Sequence, residues 1–152
     1  MIGFMQIRRL EIHDILPIRN EILRPKEILD DYKFEGDSDE STLHLGAYID
    51  GRLSSVATFI FENHANLKAE IPVRLRGMAT LPKYRCKGLS KALIETALAS
   101  VKQNQCDVLW CEAREKAIGF YESLGFQPHS DMFEKKFIGP HRLMFLTIKG
   151  ST

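Results

Sequence analysis

Between Lys68 and Gln103 the apolar residues change their period once, from two to about 3.6. Ile71, Val73 and Leu75 alternate with Glu70, Arg74 and Arg76, which is the pattern of a strand from Lys68 to Leu75. Leu89, Leu93, Ala97 and Val101 then recur at helical spacing with Ile94 and Leu98 alongside, which predicts a helix from Leu89 to about Gln103. The alternation slips at Gly77-Met78, where a bulge is expected, and Pro82 ends the strand. The link into the helix sets Arg85, Lys87 and Lys91 around Gly88. Unpaired N–H groups and the dipole at a helix start attract an anion, and a glycine lets a phosphate approach without a Cβ in the way. The competing reading is solvated charges around a simple turn. Neither G-x-x-x-x-G-K-[ST] nor G-x-G-x-x-G is present, so this is neither a Walker loop nor a dinucleotide fingerprint.

Other elements follow from the same rules. Gln6 to Ile12 reads as an opening strand. Asp14 is placed to cap a helix from about Ile15 to Arg24, with Ile15, Ile18 and Ile22 on one face and Pro25 as its stop. A second short helix is expected around Lys26 to Tyr32, then an acidic loop from Phe34 to Ser41. Leu43 to Ile49 and Leu53 to Phe61 flank Asp50-Gly51, a two-residue hairpin signal. Asp107 to Ala113 is a buried strand, Arg114 to Leu124 a helix stopped by Gly125, and Phe126 to His129 and Arg142 to Ile148 are strands separated by a loop containing Gly139-Pro140.

The 152 residues fit one domain, residues 1–152, without an internal linker or repeat. A net charge of +1 argues against nucleic acid as a partner, so any anion site is local. No apolar run is long enough for a membrane span, and the N-terminus lacks a signal-peptide pattern. Three cysteines (Cys86, Cys106, Cys111) without metal-like spacing fit a reducing cytoplasm. His13, His44, His64 and His129 are scattered, so no metal site is expected.

Two segments carry a resemblance. "RLRGMATLPKYRCKGLS" resembles the fourth strand and the R/Q-x-x-G-x-G/A loop of the GNAT superfamily of N-acetyltransferases, with Ser90 where glycine or alanine is usual. "CEAREKAIGFYESLGF" is similar to that family's A-x-x-F-Y-x-x-x-G-F segment, matched by Ala117, Phe120, Tyr121, Gly125 and Phe126. It has Arg114 where asparagine is frequent. The resemblance covers nearly the whole chain. It implies an α/β (α+β) fold, a mixed, mostly antiparallel twisted sheet of about six to seven strands flanked by about four helices. It also implies an acetyl-coenzyme A-dependent acyltransferase acting on an amine. Arg85, Cys86, Lys87, Gly88, Leu89 and Ser90 would surround the coenzyme A pyrophosphate, and Met78, Ala79 and Thr80 would meet the pantetheine.

The resemblance makes Tyr121 the acid for the departing sulfur, against the reading of a packed aromatic on a helix. "GPH" before the last strand offers His141 as a base. Relatives place a glutamate on the fourth strand, but here the positions beside the slip are Arg74 and Arg76. Glu70, Glu112, His141 and water stay open as the base. Arg74 and Arg76 hint at an acceptor carrying a carboxylate or phosphate, or they face solvent. Cys86 reads as inert, because no histidine pairs with it in sequence. The loop from Phe34 to Ser41 and the stretch from His129 to His141 are expected to flank the acceptor. A non-catalytic acyl-coenzyme A-binding or sensing module is the alternative, and a homodimer is left open.

Overall fold

A computed structural model describes residues 3–148. The chain forms two compact units, Met1–Ile60 with Leu75–Ser100, and Phe61–Arg74 with Val101–Thr152.

In the first unit, β1 (Met5–Arg9) runs antiparallel to β2 (Leu43–Ile49), which pairs with β3 (Arg52–Ile60). The expected hairpin is present: Asp50 and Gly51 both take positive φ, +48° and +85°, as the tight turn demands. Helix α1 spans Ile12–Ile22 and begins three residues before the predicted start. Asp14 does cap it, but from inside the first turn, where its carboxylate accepts the Glu11 N–H at 3.1 Å. Ile15 and Ile18 bury against Leu10, Val56 and Ala79. No helix forms at Lys26 to Tyr32. A single turn closes from the Ile28 N–H to the Pro25 carbonyl, and Leu29, the apolar residue that would have anchored a helix, is 88% exposed. Strand β4 (Pro72–Thr80) contributes Leu75 onward here and lies beside β3. A short 3-10 turn (Pro82–Tyr84) then leads to α2 (Leu89–Gln103), which has the predicted bounds.

In the second unit the first residues of β4 pair in parallel with β5 (Val108–Arg114), Pro72 opposite Val108 and Arg74 opposite Trp110. The strand therefore starts later than the expected Lys68. The Asp107 carboxylate takes the N–H groups of Glu70 and Ile71 at 2.8 and 2.9 Å, so this run is tied to a side chain instead of a ladder. Burial pushes the Asp107 carboxyl up, but these and other backbone donors outweigh it and hold the group below its ordinary value. β5 pairs antiparallel with β8 (Gly139–Thr147), whose register includes Glu112 opposite Leu143 and Arg114 opposite His141. Between them come a 3-10 turn (Glu115–Ala117), α3 (Ile118–Ser123), β6 (Gln127–Pro128) and β7 (Phe133–Lys135). β6 and β7 both pair with β8, and Gly139-Pro140 belongs to that strand and not to a loop. Among the described residues the fold has eight strands and three α-helices, a mixed and mostly antiparallel sheet as expected, with the shortest strands added and one helix absent. Among the described residues no helix is long and apolar enough to cross a membrane.

Candidate active site

The basic loop is built on two left-handed residues. Cys86 has φ +59° and Gly88 φ +85°. A Cβ at Gly88 would meet no atom within 4 Å, so glycine serves the backbone there and leaves open space in front of it. The first helical bond of α2 runs from the Ala92 N–H to the Gly88 carbonyl at 3.0 Å, which leaves the N–H groups of Leu89, Ser90 and Lys91 without intrahelical acceptors. Arg85, Cys86, Lys87 and Gly88 are exposed, while Leu89 is buried as the anchor of the turn. The Ser90 hydroxyl lies 3.3 Å from that of Thr80, which in turn bonds Ser55 at 2.7 Å. Arg85 Nε donates to the Thr80 carbonyl at 3.3 Å. The end of β4 and the first turn of α2 are thus laced together, so Ser90 has a structural use of its own.

The kink expected at Gly77 is present as φ +67° inside β4. Its surroundings were not foreseen. Arg19, 0% exposed, gives Asp37 two hydrogen bonds of 2.8 and 3.2 Å and another of 2.8 Å to Thr58 Oγ1. His44 bridges Thr58 Oγ1 at 2.8 Å and the Asp37 carbonyl at 2.9 Å. A carbonyl only accepts, so Nε2 carries the hydrogen and Nδ1 accepts from Thr58. The Phe34 ring lies against two guanidinium groups, with Arg19 at 4.2 Å and Arg76 at 4.0 Å. The acidic loop is therefore folded beside the β4 kink, and Asp37 is an internal counter-charge. Its one sequence signal is an aspartate within a run too acidic to single it out.

The second unit holds Tyr121, His141 and Glu112. Tyr121 is 7% exposed, with its ring 5.2 Å from those of Phe120 and Phe126. Burial first, and Cys111 second, push its phenol well above the ordinary value of 10, with Arg114 pulling the other way. It is a neutral donor at physiological pH. His141 is 3% exposed, and its Nδ1 stands 2.8 Å from the Gly139 carbonyl. That carbonyl fixes the hydrogen on Nδ1 and makes Nε2 the acceptor. Burial, with smaller effects of Lys135 and Arg114, pushes His141 below its ordinary 6.5 despite the Gly139 bond and Glu112, so it is neutral at pH 7. Glu112 is occupied: Arg74 Nη2 bonds it directly, and Lys135 Nζ lies 3.3 Å away. Arg74 also meets Glu62 at 2.6 Å and stacks 4.7 Å over Trp110. Arg74 is thus buried and compensated, not turned to solvent or to a ligand. Glu70 is exposed and lies outside β4.

Register and alternation sort these groups. Glu112, Arg114 and their partners Leu143 and His141 share one face of the β5–β8 ladder, with Phe133 opposite His141 on its other side. Cys111, the electrostatic neighbour of Tyr121, is on the opposite face. The charge of Arg114 acts on both the acid and the base candidate, Tyr121 and His141. Among the described residues no cluster of histidine, cysteine or acidic residues could hold a metal ion.

The sequence model of the acetyltransferase (GNAT) family matches residues 9–126. The chain belongs to the GNAT family of acetyltransferases. A curated relative, described as the uncharacterized N-acetyltransferase YitI of Bacillus subtilis (strain 168), is 33% identical over 147 residues, covering 97% of this chain and 99% of that one. The ribosomal-protein-S18-alanine N-acetyltransferase of Escherichia coli superposes with a TM-score of 0.71 at 21% identity, covering 98% of this chain and 97% of that one. An aminoglycoside 6'-N-acetyltransferase complexed with coenzyme A does so with a TM-score of 0.71 at 12% identity, over 97% and 99% of the two chains. These two structures are alike in fold alone. As a GNAT protein the chain is an acyltransferase, and both segments that carried the resemblance occupy the expected elements: the loop before α2, and the turn and helix after β5.

Proposed function

We propose that this GNAT enzyme moves the acetyl group of acetyl-coenzyme A to an amine by direct attack in a ternary complex. The observation that carries the donor assignment is the loop from Arg85 to Ser90, where exposed cations and the first N–H groups of α2 surround the open space at Gly88. The coenzyme A bound to the aminoglycoside acetyltransferase of the same fold supports it. In this reading the loop takes the pyrophosphate, and the backbone at Met78, Ala79 and Thr80 meets the pantetheine.

Of the base candidates, His141 is favoured over Glu112. Its Nε2 is an acceptor, whereas the Glu112 carboxylate is held by two cations. Moving a proton from an ammonium of pKa about 10.4 to a histidine at or below about 6.5 costs at least about 5 kcal/mol. His141 therefore acts mainly as the C–N bond forms, when the nitrogen becomes acidic. The amine nitrogen attacks the thioester carbon, its proton goes to Nε2, and the C–S bond breaks with its electron pair on sulfur. Tyr121 donates a hydrogen bond and then a proton to that sulfur, and is reprotonated from solvent. A phenol pushed above 10 is a weaker acid than a thiol of about 8.5, so its help is modest, with most of the acceleration coming from holding the reactants together.

The test is thiol release from acetyl-coenzyme A over a panel of amines, paired with calorimetric binding of the cofactor. Turnover with at least one amine is expected, and Tyr121→Phe should lower kcat by about 10²-fold with cofactor affinity kept. Cofactor binding without turnover on any amine would overturn the transferase reading. Binding unaffected by Gly88→Asp would overturn the donor site.

A further inference from the structure

Arg114 is the last residue of β5, half-buried, and in register with His141 on β8. Its basic neighbours are all engaged: Arg74 with Glu62 and Glu112, Lys135 with Glu112, and Arg142 through Nε with the Ser130 carbonyl at 2.7 Å. Among the described residues no side-chain hydrogen bond, ion pair or ring contact engages the Arg114 guanidinium; its backbone lies in the ladder opposite His141, and its charge acts on His141 and Tyr121. The carboxylate nearest in the pattern, Glu112, lies two residues back on the same face and is already shared by two cations. A guanidinium carries five N–H donors in a fork geometry that suits a carboxylate.

We propose that Arg114 binds a carboxylate of the acceptor, so that the acceptor is an amine with a carboxylate a few bonds from its nitrogen, as in a free amino acid. This deepens the proposed function and rests on it for the role of His141. The register with His141 supplies the choice of ligand. Arg114 is in register with His141, the group that meets the amine, and its charge acts on both His141 and Tyr121. Directly paired residues on antiparallel strands have Cβ atoms about 5 Å apart, which allows one small molecule to touch both side chains. The charged groups acting on His141 are Lys135 and Arg114, which lower its basicity, and Glu112, which raises it. A carboxylate on Arg114 offsets one of the two lowering charges, so the correct acceptor makes His141 a better base. The pair Arg74 and Arg76, which first suggested an anionic acceptor, yields that role to Arg114, since Arg74 is neutralised internally.

The experiment uses the full chain saturated with coenzyme A and a set of free amino acids, each matched with its own primary amide, measured by calorimetry. At least one amino acid should bind about tenfold or more tightly than its amide. Arg114→Gln should abolish that preference, and Arg114→Lys should keep part of it, with coenzyme A affinity and thermal midpoint unchanged in both. In turnover, Arg114→Gln should raise KM for the amino acid far more than KM for its amide. The proposal is overturned if no amino acid outbinds its amide, if Arg114→Gln keeps the preference, or if it weakens all ligands and coenzyme A alike. Preference without turnover would leave this subsite standing and sink the transferase reading. Turnover without preference would do the reverse.

Discussion

Gly77→Ala tests whether the β4 kink is held from outside the strand. Gly77 has φ +67°, which costs an L-residue about 1–2 kcal/mol. A Cβ there would lie 2.7 Å from Phe34 Cε2 and 3.1 Å from Arg19 Nε. Neither neighbour is free to retreat: Phe34 is stacked between Arg19 and Arg76, and Arg19 is fixed by Asp37 and Thr58. Overpacking of this kind adds about 1–3 kcal/mol, for a total near 2–5 kcal/mol. Gly88→Ala is the control, because its φ of +85° carries the same conformational cost but a Cβ meets nothing within 4 Å. It should lose only about 1–2 kcal/mol. Urea unfolding followed by far-UV circular dichroism measures both; the single tryptophan, Trp110, belongs to the other unit and provides a second probe. In a Phe34→Ala background the cost of Gly77→Ala should fall towards that of Gly88→Ala. Equal losses in the two glycine variants, or an undiminished loss without Phe34, would refute the clamp.

Further outcomes follow from the buried charges and thiols. Asp37→Ala strands the Arg19 guanidinium without a counter-charge and should cost about 3–5 kcal/mol in the same urea assay. His141 is held below its ordinary 6.5, so between that lower value and 6.5 the unfolded chain binds more protons than the folded one. Stability should therefore fall as pH drops through that window, and His141→Gln should flatten the slope of the thermal midpoint against pH. If His141 is the base, the acid limb of kcat/KM lies below pH 6.5, and a limb at or above it argues for another group. Burial pushes the Cys111 thiol up to about 12, and Cys106 is buried too, whereas Cys86 is exposed. Iodoacetamide should modify the native protein at Cys86 alone, by mass spectrometry, and saturating acetyl-coenzyme A should slow it.

What could be read in advance was what neighbouring residues decide. The Asp50-Gly51 hairpin and the bounds of α2 depend on residues within a few positions, and both agree with the structure. The start of β4 does not, because the Asp107 carboxylate that takes the N–H groups of Glu70 and Ile71 is 37 and 36 residues away. β7 is three residues long and exists because β8 offers it a ladder, so no local pattern announces it. The buried arginines fail in the same way: Arg19 is compensated from 18 residues away and Arg74 from 12 and 38.

The same division runs through the site. A phosphate-binding loop is made of consecutive N–H groups and one permissive glycine, so its elements are adjacent in the chain and legible there. Acid and base are chosen by what surrounds them. Glu112 was an equal candidate to His141 until Arg74 and Lys135 came to rest on it, and His141 gained its acceptor nitrogen from the Gly139 carbonyl. Alternation names the residues that share a face without telling which of them are already paired. Once the partners of Arg74 are known, the cation left over on that face is Arg114, at the position where the family pattern is broken. A departure from a family's usual residue, beside its candidate base and lacking an internal partner, is where selectivity for the acceptor has room to reside.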